Sequence, residues 1–288
     1  MQSTPILVSA EGRHVRLKVF VLLTGCGFFI FALTMTFVPV LPRWAHYAGR
    51  VVLICIFFTF WRMACGEHPW SRFRPVFFAY FTAVIAVSLG FFFGDWGLFL
   101  FGLTTKTPAG IAVAKFSQAS VIVVALLVTV RLSGEKFASL YLRKGRLLFG
   151  LSVGLIAAAI CLLLTLQQPG IRSLGASPLL SLTPWILLFI ISNAFMEELL
   201  FRGLFLGRYE ALVGGWPAIL STALAFTLAH MQVHYAPDII VFMMVLLGLS
   251  IAWGWLMRKS NSLWGSVVFH AGADLLIILP IFKELGAI

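Results

Sequence analysis

The chain has 288 residues, of which 61% are hydrophobic and 11% are charged, with a formal net charge of +11. Soluble domains carry roughly 25% charged residues, so this composition excludes an ordinary water-soluble domain. Its apolar content equally excludes a disordered chain. What remains is a polytopic membrane protein.

Nine apolar runs of membrane-crossing length or close to it follow one another along the sequence. In chain order they are Val19–Pro42, Trp44–Met63, Pro75–Gly94, Ala109–Val130, Leu147–Leu166, Leu182–Leu206, Trp216–His230, Ile239–Met257 and Leu263–Phe282. The second run is the weakest because it contains Arg50. The sequence therefore predicts an all-α bundle of about nine transmembrane helices.

Most Lys and Arg residues lie in the short segments between these runs. With a cytoplasmic N-terminus, 15 of the 21 lie in or near the cytoplasmic ends of the spans, 5 lie toward the outer side, and Lys115 lies within a span. This asymmetry is typical of membrane proteins, whose cytoplasmic loops are enriched in basic residues. We therefore expect the lipid bilayer rather than a nucleic acid as the partner of the positive charge. The short loops and modest size favour a prokaryotic plasma membrane.

Charged residues inside the predicted spans are concentrated in the last third of the chain. Three of the ten acidic residues, Glu197, Glu198 and Asp274, lie within spans, whereas spans one to five contain no acidic residue and, away from their ends, only the basic residues Arg50 and Lys115. Each such charge costs about 2.5–3.5 kcal/mol at the bilayer centre, so intramembrane ionisable groups are candidate functional residues. We accordingly divide the chain into residues 1–146, with four spans of unassigned role, and residues 147–288, with the candidate chemistry.

Helical spacing separates the roles of the two adjacent glutamates. Glu198 and Arg202 are four residues apart, which predicts an ion pair on one helix face. Glu197 points about 100° away and lacks that partner. A carboxylate without a cation beside it is suited to act as a general base on water.

Two further pairs have the same four-residue spacing. His270 and Asp274 share a face, so the carboxylate is predicted to accept a hydrogen bond from the imidazole and fix its tautomer. Phe226 precedes His230 by four residues, and its ring is predicted to form a wall of the site.

These three patterns carry a family resemblance. Glu197-Glu198-x-x-x-Arg202, Phe226-x-x-x-His230 and His270-x-x-x-Asp274 resemble, in order and spacing, the three motifs of the CPBP family, which comprises CAAX proteases and bacteriocin-processing enzymes and is also called the ABI family. The resemblance covers roughly Leu182–Phe282, in the last four spans.

The resemblance implies a glutamic-type intramembrane endopeptidase acting on a membrane-associated protein or peptide. By this resemblance, Glu197 and His230 of this chain would activate the attacking water, and His270 with residue 274 would stabilise the oxyanion. Glu198, Arg202 and Phe226 would be supporting residues. Prenyl-protein proteases of the family have Asn at the position of Asp274. Because an ionised Asp cannot donate a hydrogen bond to an oxyanion, we predict that Asp274 orients His270.

The depths of the candidate residues agree only in part. At 1.5 Å per residue, Glu197 and His270 lie about 12–14 Å from the cytoplasmic ends of their helices. His230 lies about 20 Å from that side. The seventh span must therefore tilt, or begin outside the hydrocarbon, to bring His230 to the level of the others.

Three other functions are compatible with parts of the pattern. His230 and His234 have the spacing of two zinc ligands, and His230, His270 and Glu197 could hold zinc; however, the Glu of an HExxH motif is missing and Pro237 interrupts the helix. A proton-coupled carrier also uses buried acids and histidines, but no inverted repeat is visible. A non-catalytic protein could retain the fold. The predicted protease function requires no cofactor.

Overall fold

The computed structural model describes residues 10–34, 42–66, 70–172, 176–233 and 238–285, with backbone only at 10–13 and 176. Within these ranges every regular element is a helix. The predicted all-α fold is thereby confirmed. The helices are α1 (Ala10–Thr34), α2 (Arg43–Met63), α3 (Arg74–Phe93), α4 (Trp96–Phe101), α5 (Pro108–Leu132), α6 (Leu147–Gln167), α7 (Pro169–Arg172), α8 (Ala176–Glu197), α9 (Leu206–Val213), α10 (Gly215–Leu228), α11 (Ile239–Ser260) and α12 (Trp264–Glu284).

Eight helical segments of the described chain are long and apolar enough to cross a membrane. The ninth predicted span corresponds to α10, which is a shorter apolar helix of 14 residues. The sixth span is the longest at 37 residues, because α8 continues through a π-helical segment, Glu198–Gly203, into α9.

Helix directions show how α10 fits into this succession. Thr24 of α1 donates a hydrogen bond to Ser221 of α10 at 2.9 Å, and one turn later Gly27 faces Ala225, so α1 and α10 run in the same direction. Despite its length, α10 reverses the chain direction between α9 and α11, as a ninth crossing segment does.

Small residues bring α6 and α12 into close contact. A Cβ on Gly154 or Gly265 would collide with the backbone of the other helix, and one on Gly272 would collide with Ala158. Close backbone approach through glycine and alanine is the usual basis of helix association in lipid. The same residues show that the two helices are parallel, because Gly154 lies at Gly265 and Ala158 lies at Gly272.

The N-terminal helices pack directly on the region that carries the candidate site. The hydroxyl groups of Tyr80 on α3 and Tyr209 on α9 lie 2.9 Å apart, and both reach the carbonyl oxygen of Leu23 on α1. Phe31 of α1 packs on Phe201 with ring centroids 4.2 Å apart. One buried core therefore extends across both parts of the chain.

Candidate active site

The two glutamates lie where α8 changes from α-helical to π-helical geometry. Here the backbone N–H of Leu204 donates to the carbonyl of Leu199, five residues earlier, at 2.9 Å. Such widened turns occur frequently at functional sites. Gly203 permits the segment to pass close to the preceding loop, since a Cβ there would lie 3.0 Å from the carbonyl oxygen of Leu140.

The imidazole of His270, on α12, lies between three carboxylates. Its Nδ1 is 2.9 Å from Glu198 Oε1, whereas its Nε2 is 3.5 Å from Glu197 Oε2 and 3.6 Å from Asp274 Oδ1. Because an ionised carboxylate only accepts hydrogen bonds, Nδ1 is the donor to Glu198. Glu198, rather than Asp274, therefore makes the hydrogen bond that orients His270. This partner could not be predicted from helical spacing, because both adjacent glutamates, at the start of the π-helical segment, contact the ring from another helix.

We call the Nδ1 side of the His270 ring the sealed side. Arg202 Nη1 donates to Glu198 Oε1 at 2.6 Å, and both side chains are 0% exposed. The other guanidinium nitrogen, Nη2, donates to the hydroxyl of Ser250 on α11, and the guanidinium packs over the rings of Phe226 and Trp253. The predicted Glu198–Arg202 ion pair is present, and it is completely enclosed.

Aromatic rings fix the plane of the His270 imidazole. Trp253 of α11 stacks on it with centroids 3.9 Å apart and an interplanar angle of 9°, while Phe226 contacts it edge-on at 5.8 Å. The hydroxyl of Ser266 donates to the backbone carbonyl of Trp253 at 2.8 Å and ties α12 to α11. Trp253 and Ser250 were not predicted from the sequence, because a single Trp or Ser in an apolar run has no distinguishing spacing.

We call the Nε2 side of the His270 ring the open side. The side chains of Glu197 and Asp274 there are each 8% exposed, in contrast to the fully enclosed Glu198. Asn193 of α8, which was not predicted from the sequence either, donates to Asp274 Oδ2 at 3.1 Å. Asn193 precedes Glu197 by four residues, and this helical spacing from a candidate acid is the sequence feature that could have predicted its position at the site.

His230 lies just beyond the end of α10 and turns back toward the site. Its Nδ1 is 2.9 Å from the carbonyl oxygen of Phe226, and its ring lies 4.6 Å from the Phe226 ring. Because a carbonyl only accepts, Nδ1 donates, and Nε2 of a neutral ring keeps its lone pair. His230 is also within range of charge–charge interaction with Glu197 and His270.

The start of α10 bears on the predicted mismatch in depth. Gly215, its first residue, lies against the guanidinium of Arg258 near the end of α11. The helix therefore begins at the level of the basic residues that flank the spans. The backward turn of the His230 side chain brings its ring toward the level of Phe226 and His270.

Seven candidate residues converge in the structure. The acids, histidines and supporting residues lie around the His270 ring on α8, its π-helical extension, α10 and α12. Among the described residues, no group of three or more His, Cys, Asp and Glu side chains has metal-binding geometry. His234 and Pro237, which bear on the zinc alternative, lie outside the described ranges.

Residues 179–276 match the family model for Rce1-like type II CAAX prenyl endopeptidases. The matched segment is about a third of the chain and includes all seven candidate residues. No curated protein and no solved structure matches the chain. Helices α1 to α7 lie outside the matched segment. Residues 179–276 are therefore similar to the Rce1-like CAAX protease family, which the three motifs also resemble.

Proposed function

We propose that this protein is an intramembrane endopeptidase that hydrolyses a peptide bond of a membrane-associated protein or peptide. One observation carries the proposal: Glu197 makes no hydrogen bond to any described residue, yet it lies on the open side facing His270 and within range of His230. The neighbouring Glu198 is held by both Arg202 and His270. Glu197 is therefore the carboxylate that is free to take a proton from water.

In this mechanism Glu197, assisted by the free Nε2 of His230, accepts a proton from a water molecule. The oxygen of that water attacks the scissile carbonyl carbon, and the carbonyl oxygen becomes an oxyanion. The accepted proton then passes to the leaving amide nitrogen as the carbon–nitrogen bond breaks. A water molecule is thus added across the peptide bond, and no metal ion is required.

His270 is the proposed donor to the oxyanion. Its Nδ1 already donates to Glu198, so Nε2 donates only when the ring carries a proton on both nitrogens. The three carboxylates around the ring complement the positive charge of that form. Asp274, held by Asn193, has one oxygen left to face the ring from the open side.

The test is cleavage of three internally quenched peptides by the purified full chain in detergent. One peptide ends in a farnesylated cysteine followed by three apolar residues, the second lacks the farnesyl group, and the third is an apolar segment with both ends blocked. We expect Glu197→Gln to lower kcat by about 10²- to 10⁴-fold, the contribution of a general base. Glu284→Gln, an exposed carboxylate at the end of α12, is the matched control and should leave cleavage unchanged.

Cleavage that persists in the Glu197→Gln chain would overturn the catalytic assignment. An unmodified chain that cleaves none of the three peptides would overturn the proposed activity. A chelator added to the same reactions addresses the zinc alternative. We expect no loss of activity, whereas loss that zinc restores would replace the metal-free mechanism.

A further inference from the structure

Arg50 on α2 carries a buried charge that the proposed mechanism does not use. Its side chain is 1% exposed, and its Nη2 donates to the carbonyl oxygen of Thr34, the last residue of α1. The other two guanidinium nitrogens, Nε and Nη1, have no partner among the described atoms. Buried donors without acceptors are costly, so these two groups are candidate ligand-binding groups.

None of the described carboxylates compensates the charge of Arg50. The guanidinium packs on the ring of Phe91 on α3, with Cζ 4.1 Å from the ring centroid. Asp95, one helical turn after Phe91, is exposed and makes no described ion pair with Arg50. An aromatic face and one backbone carbonyl compensate a guanidinium only in part, so the site keeps a net positive charge.

His46 adds a further unpaired polar atom on the same face of α2. It precedes Arg50 by four residues, so the two side chains are neighbours on the helix. Its buried Nδ1 has no hydrogen-bond partner among the described atoms. An imidazole nitrogen can carry a hydrogen, and a guanidinium presents its donors in a fork that fits the oxygen atoms of a phosphate. The two residues together therefore have the chemistry of a phosphate site.

The neighbouring helices place this site near the edge of the hydrocarbon. Arg50 contacts the last residue of α1, and Phe91 lies two residues before the end of α3. Trp44, Tyr47 and Trp96, at the same end of these helices, are exposed. Trp and Tyr are enriched where a membrane protein meets the headgroups. The guanidinium therefore lies close to the level of phospholipid phosphates.

Aromatic rings that are themselves exposed cover the guanidinium. Phe91 is 40% exposed, and Tyr47, which is 43% exposed, lies 6.1 Å from it and within range of electrostatic interaction with Arg50. Tyr47 also stacks on Phe92 at 5.7 Å. Exposed side chains change rotamer within nanoseconds, so movement of Tyr47 gives a lipid headgroup a route to Arg50.

We infer that Arg50, together with His46, binds the phosphate group of an anionic phospholipid where α1, α2 and α3 meet. A lipid is the expected source of the phosphate, because the covering rings are exposed at the headgroup level. An anionic headgroup is expected, because none of the described carboxylates interacts with Arg50 and could also pair with a choline or ethanolamine cation. The inference does not depend on the proposed peptidase function, and the site lies outside residues 179–276.

Native mass spectrometry of the purified full chain in detergent tests this inference. The chain is titrated with phosphatidylglycerol, with phosphatidylcholine and with inorganic phosphate. We expect the first phosphatidylglycerol to bind about tenfold or more tightly than phosphatidylcholine, equivalent to one charge-assisted hydrogen bond. Arg50→Met should abolish this preference, and Arg50→Lys, which keeps the charge without the fork, should retain part of it. Arg43→Met is the matched control, since Arg43 is an exposed basic residue of the same helix and its loss should leave the preference intact.

Three results would overturn the inference. The first is equal binding of the two lipids by the unmodified chain. The second is a preference that survives in Arg50→Met or is lost equally in Arg43→Met, because general surface charge would then explain it. The third is inorganic phosphate that displaces phosphatidylglycerol at a similar concentration, which would assign the site to a dissolved anion instead of a lipid.

Thermal unfolding separates lipid binding from a purely structural contact between Arg50 and Thr34. Phosphatidylglycerol should raise the Tm of the unmodified chain and of Arg43→Met, but not that of Arg50→Met, because a ligand stabilises only a chain that binds it. An equal decrease in the Tm of Arg50→Met with and without the lipid would show that Arg50 only holds α1, and would contradict the inference.

His46→Leu provides a second variant that keeps the contact between Arg50 and Thr34. It should weaken phosphatidylglycerol binding several-fold while leaving the Tm without lipid unchanged, because His46 Nδ1 has no partner to lose among the described atoms. Unchanged phosphatidylglycerol binding by His46→Leu would overturn the two-residue site.

Discussion

The two sides of the His270 ring have the same kind of residue in opposite environments. On the sealed side, Glu198 is 0% exposed and is shared by Arg202 and His270. On the open side, Glu197 keeps some exposure and makes no hydrogen bond to the described residues. The two adjacent glutamates thus differ because Glu198 accepts hydrogen bonds from Arg202 and His270, whereas Glu197 accepts none from the described residues. Changes on the sealed side should affect stability first, and changes on the open side should affect activity first.

The largest effect on stability is expected from Arg202→Met. This change leaves Glu198 buried without its cation, which destabilises a protein by about 3–5 kcal/mol. Glu198 would keep only the hydrogen bond from His270 Nδ1, because its Oε2 has no partner among the described atoms. Thermal unfolding in detergent should show a large decrease in Tm.

Two control variants sharpen this prediction. Arg202→Met combined with Glu198→Gln removes both charges and should recover part of the loss. Arg258→Met breaks an ion pair with Glu210 whose side chains are about one third exposed, and should cost less than about 1 kcal/mol. If Arg202→Met and Arg258→Met had similar Tm values, the sealed side would not be a structural clamp.

A smaller effect is expected from Ser250→Ala, which removes the acceptor of Arg202 Nη2. Loss of a hydrogen bond to a charged group should lower the free energy of unfolding by about 1.5–3 kcal/mol. Ser88→Ala is the matched control, since the buried Ser88 hydroxyl has no partner among the described atoms and its removal should be neutral or stabilising. Equal effects of the two changes in thermal unfolding would contradict the assigned hydrogen bond.

The smallest effect is expected from Asp274→Asn on the open side. Because Glu198 holds the His270 ring, this change should leave kcat within about tenfold of the unmodified chain, a difference of about one hydrogen bond. The Asn side chain retains an oxygen that can accept from Asn193, so Tm should not fall. A loss of kcat as large as that of Glu197→Gln would instead identify Asp274 as the residue that orients the ring.

Several features of the site were predictable because they depend on local spacing. The Glu198–Arg202 pair follows from a four-residue interval, and its formation needs only helical geometry. The concentration of charge in the last third of the chain also pointed to the helices that carry the candidate site, because charges are costly in lipid. Spacing failed for His270, whose nearest partner is Glu198 at 2.9 Å and not Asp274 on its own helix.

The length of an apolar segment did not by itself show whether that segment reverses the direction of the chain. A 14-residue helix such as α10 is shorter than a full crossing, yet the parallel contacts between Thr24 and Ser221 show that it reverses the chain. The first residue of α10 lies beside Arg258 because α10 packs against α11. The number of apolar residues in the segment does not predict this contact between helices.

The sequence alone predicted a membrane-embedded helical bundle, the resemblance of its last third to a protease family, and the residues on which catalysis is proposed to depend. These follow from composition, apolar length and motif spacing, all of which are local along the chain. Only the tertiary structure decided which glutamate holds His270 and that Trp253, Ser250 and Asn193 contact the residues of the site. Those contacts join different helices, and their geometry arises from a π-helical turn and from close glycine packing between α6 and α12.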